Sequence, residues 1–178
     1  MPKSLYHTIR KDPYLAASLS RAPFRCIDNP WLGEGYYFWD SFIELAKWWG
    51  EVHHCGNYVV TETTAKFGGD AVFDLVGNTD HMRIFAEYAH ILEEDRKCEV
   101  TVAQILEHMK KYTGLLKTYK AVRADGRLSI RDIAKNAPYI KRIRFSLNHP
   151  QYLDLLPSIQ CCVFEKTDVN PPTVAFTP

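Results

Sequence analysis

Residues Gly33–Gly50, GEGYYFWDSFIELAKWWG, hold seven aromatic side chains in eighteen positions, in a chain that is 13% aromatic overall. The unbroken run Tyr36–Trp39 reads as a strand, because aromatic side chains suit a pleated, half-buried surface. The period then changes: Phe42, Leu45, Ala46 and Trp49 recur at helical spacing. Ser41, with Glu44 three residues later, predicts a capping box at the helix start, and Gly50 predicts its end. The stretch is therefore a strand turning sharply into a helix, with rings crowded around the turn.

Working outward, Ser4–Arg10 (SLYHTIR) reads as an opening strand. The segment 12–23 (DPYLAASLSRAP) reads as a short helix, with Pro13 in its first turn and Pro23 closing it. The β-branched segment 57–66 predicts a strand, and 70–77 a shorter one ended by Gly77. From Asn78 to Tyr112 the pattern is helical, with an Asn/Thr cap at its start and a second capping box at Thr101 and Gln104. Strand patterns return at 119–125, 141–148 and 158–166. The last is apolar on both faces, which predicts a central strand, and the tail from Asn170 reads as irregular. Strands, a helical insert over about 78–112, then strands again make an α+β chain rather than a β-α-β alternation. Its 178 residues suit one domain.

The net charge of +1 conceals an asymmetry. Between His108 and Arg144, eleven Lys and Arg face only Asp125 and Asp132, a local +9 against −8 elsewhere. Such a stretch fits an acidic partner, nucleic acid or protein, as well as a set of solvated faces. The five cysteines form no C-x-x-C pair, and adjacent Cys161 and Cys162 point to opposite sheet faces, so they read as reduced, buried hydrophobes. The N-terminus has no hydrophobic signal core, and no apolar run reaches membrane-spanning length. This predicts a cytoplasmic protein without leader or anchor.

Several chemistries find no support. The chain has no phosphate-binding glycine loop, no G-x-S-x-G elbow and no zinc-deaminase signature. His53, His54 and Cys55 are sequence neighbours without metal-ligand spacing, and no metal is expected.

Three elements remain: LYHT on the first strand, GYYF leading into FIELAKWWG, and SIQCC opening a late strand. Their order resembles the ADP-ribosyltransferase superfamily, in its diphtheria-toxin-like and PARP-like branch. There, a His on strand one, a Tyr after glycine and a polar residue at the start of a late strand form a triad. The resemblance implies a split, mostly antiparallel sheet and transfer of ADP-ribose from NAD to a macromolecular acceptor, nucleic acid or protein, with release of nicotinamide. It implies His7, Tyr37 and Gln160 as the triad, with Glu165 the alternative third member, and Trp48 as the stacking aromatic, with Trp49 the alternative. His7 and Tyr37 would also contact NAD, as would Thr8, which stands where the family has glycine; Arg10 and Arg25 are candidates for its pyrophosphate. A glutamine can hydrogen-bond a ribose hydroxyl but cannot act as a general base. A toxin or anti-phage effector with an antitoxin or immunity partner is the role implied. An inactive nucleic-acid-binding module on this fold and an NAD glycohydrolase are the alternatives.

Overall fold

The computed structural model describes residues 3–126 and 142–178. They form a mixed α+β arrangement built on a mostly antiparallel sheet. The strands are β1 (Ser4–Arg10), β2 (Arg25–Cys26), β3 (Gly35–Asp40), β4 (Tyr58–Thr64), β5 (Val72–Asp74), β6 (Ala121–Asp125), β7 (Arg142–Arg144), β8 (Tyr152–Asp154), β9 (Ile159–Val163) and β10 (Thr173–Phe176). The helices are α1 (Leu15–Arg21), α2 (Ile43–His54), α3 (Thr79–Arg96) and α4 (Val102–His108). The main sheet runs β10-β4-β1-β3-β9-β6-β5, with β2 added to β3, while β7 and β8 form a separate hairpin. Among the described strands, only β5 and β6 pair in parallel. As its apolar pattern predicts, β9 is central, flanked by β3 and β6, and all five of its residues are buried.

The sheet forks at β1 and β3. These strands are in register only at Leu5/Asp40 and Tyr6/Trp39, while β1 stays paired with β4 from Ser4 to Arg10. Farther along the same edge of β3, β2 takes over, opposite Gly35 and Tyr36. Between the two lies a gap beside Tyr37 and Phe38. Gly35 is required next to it: a Cβ there would lie 2.6 Å from both the Cys162 sulfur and the Val163 carbonyl oxygen.

One face of the sheet carries two helical packs. Leu45, Ala46 and Trp48 of α2 bury against Trp39, Tyr58 and Val60. Ile105, Leu106 and Met109 from the insert bury against Phe73, Val122 and Cys162. Cys161 faces the opposite side with Leu5, Phe38 and Val163, so the two cysteines do point apart.

Three local readings are corrected. Ser41 does not cap α2: its φ is +69°, its hydroxyl bonds the Asp40 carboxylate, and Phe42 stands at the N-cap. Gly50 lies inside α2, which continues to a left-handed Cys55; a Cβ at Gly50 would meet the Tyr58 ring at 2.4 Å, so the glycine serves close packing. The tail is not irregular throughout, since Thr173–Phe176 pairs with β4 across a register shift. The caps at Asn78 and at Thr101 with Gln104 form as predicted.

Candidate functional site

Cross-strand register fixes the site's floor. Tyr6, Trp39, Gln160 and Ala124 stand opposite one another across β1, β3, β9 and β6, and Tyr37 stands opposite Cys162 on the same face. Above this floor, between the two helical packs, lies a cleft of about 390 Å³. His7, Thr8, Tyr37, Trp49 and Gln160 all line it. An adjoining lobe of about 370 Å³ shares His7, Thr8 and Tyr37 and adds Arg10, Arg25 and His54.

His7 occupies the fork. Its Nδ1 lies 2.9 Å from the Tyr37 carbonyl oxygen, which can only accept, so Nδ1 carries the hydrogen and Nε2 is left as an acceptor. The Phe24 amide approaches Nε2 at only 3.5 Å, a weak bond. Burial, more than the nearby His54 charge, holds His7 below the usual histidine range against the opposing effect of the Tyr37 carbonyl.

The neighbouring Thr8 offers backbone groups. The Ser4 carbonyl accepts from the Ser41 amide on the β3 side, whereas the His7 carbonyl accepts from Thr61 on the β4 side. Backbone direction alternates along a strand, so Thr8 faces β3, beyond the point where that pairing stops. Its side chain is turned to α2 and donates to the Ala46 carbonyl at 2.7 Å.

Tyr37 is held rigidly. Its hydroxyl accepts from the Leu32 amide at 2.7 Å and donates to the Gly33 carbonyl at 2.8 Å. Burial pushes its pKa well above the usual phenol range, and Cys162 beneath it is pushed up to about 12, also mainly by burial. The ring is thus a fixed, uncharged face.

Gln160 is 7% exposed, and its Oε1 has no hydrogen-bond partner among the described residues. Trp48 Nε1 and His108 Nδ1 are likewise unpartnered, but neither residue lines the cleft. A buried carbonyl without a donor costs free energy unless something supplies one. Glu165 lies beyond the end of β9, exposed and outside the cleft.

Of the two adjacent tryptophans, only Trp49 reaches the cleft. Trp48 is core, 6% exposed and edge-on to Trp39, and does not line the cleft. Trp49 does line it, is 37% exposed, and stacks at 3.7 Å on His53 one helical turn away.

The chain matches no protein-family model, no curated protein and no solved structure.

Two cleft residues carry no signal in the sequence. Asp28 and Trp31 sit on the loop between β2 and β3, where neither periodicity nor spacing singles them out. The basic stretch is largely paired where it is described: Lys111 with Glu107, Lys120 with Asp168, Arg123 with Asp40 and Asp74, and Arg142 with Asp154. Arg127, Arg131, Lys135 and Lys141 lie outside the described residues. Among the described residues, no cluster of potential ligands is placed to hold a metal, and no helix is long and apolar enough to cross a membrane.

Proposed function

We propose that this chain is an NAD-dependent ADP-ribosyltransferase that moves ADP-ribose to a macromolecular acceptor, nucleic acid or protein, and releases nicotinamide. The observation that carries this reading is the unpartnered Gln160 Oε1, buried in one cleft with His7, Tyr37 and Trp49. The nicotinamide ring, a flat aromatic cation, stacks on Tyr37 and Trp49. The free backbone edge at Thr8 receives its carboxamide. His7 Nε2 accepts from an adenosine ribose hydroxyl, and Arg10 and Arg25 in the adjoining lobe meet the pyrophosphate.

In this reading Gln160 Oε1 accepts from a hydroxyl of the nicotinamide ribose. As the bond to nicotinamide breaks, the sugar gains oxocarbenium character, and the amide carbonyl dipole beside it stabilises the developing charge. The rigid Tyr37 holds the leaving group while the acceptor approaches the anomeric carbon. The test is nicotinamide release from NAD with and without cell lysate. Release that lysate stimulates and that disappears in Tyr37→Ala supports a transferase, release that lysate does not stimulate makes the protein a glycohydrolase, and a folded protein that neither binds NAD nor releases nicotinamide refutes both.

A further inference from the structure

Resting on that reading, we infer that Asp28 is the catalytic base on the acceptor side, and that the acceptor's nucleophile arrives carrying a proton. An amide such as Gln160 cannot take a proton, so the reaction needs a base from elsewhere in the cleft. Among the described residues that line the cleft, Asp28 is the only carboxylate. Its side chain is exposed and has no hydrogen-bond or ion-pair partner among them. Two other carboxylates near this loop are already engaged. Asp12, in the adjoining lobe, accepts from the Tyr14 amide and the Ser18 hydroxyl, and Glu34 is paired with Arg25 at 3.2 Å.

The position suits the role. The β2–β3 loop contributes Asp28, Asn29 and Trp31 to the lining of the cleft that Tyr6, Trp39 and Gln160 also line, so an exposed carboxylate shares the cavity with the proposed sugar site. Asn29, with a left-handed φ of +54°, turns the chain immediately after it, and Trp31 lines the same cleft with 40% of its surface exposed.

The chemistry then balances. The acceptor atom forms a bond to the anomeric carbon of the nicotinamide ribose. The bond from that carbon to nicotinamide breaks, its electron pair neutralising the ring nitrogen. The acceptor's proton passes to an Asp28 carboxylate oxygen. A carboxylate at the entrance repels acceptors that are already anionic, such as a carboxylate side chain or a terminal phosphate, and these need no base. Asp28 therefore selects a hydroxyl or an N–H nucleophile. Water belongs to this class, so the role can be tested before the natural acceptor is known.

The experiment compares nicotinamide release by wild type, Asp28→Ala and Asp28→Glu in water, in added azide and in added cell lysate, with NAD affinity measured separately. Azide is a nucleophile with no proton to lose. The expected result is a kcat about a hundredfold lower in Asp28→Ala, a KM for NAD within about twofold of wild type, and recovery by azide or by the Asp28→Glu replacement. An Asp28→Ala variant with wild-type kcat, a loss carried by KM, or a defect indifferent to azide overturns the role while leaving the transferase reading intact. A wild type that binds NAD yet releases nicotinamide to none of the three overturns both.

Discussion

His7 donates from Nδ1 to the carbonyl oxygen of Tyr37 at 2.9 Å, filling the place of a rung missing from the ladder between β1 and β3. One bond thus joins the first and second residues of the expected triad and holds the fork open at a defined width. The same side chain closes the fold and faces the cleft.

The burial of this side chain makes stability depend on pH, against the opposing effect of the bond. The folded His7 has a lowered pKa, chiefly through burial, and His54 is lowered in the same direction, also chiefly through burial. The unfolded chain therefore takes up protons first. Stability is whole above about pH 6.5, the ordinary histidine value, and is lost as pH falls from there through the folded values. Urea midpoints measured from pH 8 to pH 5 should decline, and His7→Gln, which retains a donor, should flatten the decline. An unchanged slope in His7→Gln would remove His7 as its source.

Replacing Gln160 should separate function from folding. Replacing it by leucine removes a buried acceptor without a partner, so stability should stay level or rise by up to about 1–3 kcal/mol. Nicotinamide release should fall about a hundredfold. Thermal melts and the release assay on the same preparation check both, and parallel losses would make Gln160 a structural residue.

Adjacent tryptophans should behave differently. Trp48→Ala empties a core site and should cost about 3–5 kcal/mol. Trp49→Ala should cost less stability yet weaken NAD binding about tenfold through the lost stacking face. Chemical denaturation and calorimetric NAD titration of the two variants make the comparison.

Removing the Tyr37 hydroxyl tests the rigidity of the ring. Tyr37→Phe leaves the Leu32 amide and the Gly33 carbonyl without their partner, a loss of about 1–3 kcal/mol. The ring remains, so NAD affinity should fall far less than in Tyr37→Ala. Equal affinity losses would mean that the hydroxyl, and not the ring face, carries binding.

Much of the sheet was legible because its signals are local. The opening strand matches Ser4–Arg10, the apolar run of β9 marks its central place, and the caps at Asn78 and Thr101 fall where small polar residues precede apolar periodicity. Ser41 and Gly50 misled because tertiary contacts override local preference. Ser41 is tied to a buried carboxylate that also holds Arg123, and Gly50 is needed against the Tyr58 ring. Spacing placed an aromatic near the helix end but could not say which of two successive residues faces the cleft; that depends on how α2 lies on β1 and β4. Asp28 and Trp31 were invisible because a loop has no period, and only the path of the chain between β2 and β3 brings them to the site.

The most direct test of the account is nicotinamide release from NAD by wild-type protein in the presence of cell lysate, with Tyr37→Ala and Gln160→Leu in parallel. The account predicts release by wild type and its loss in both variants while both remain folded. Wild-type protein that is folded, fails to bind NAD and releases nothing would contradict it.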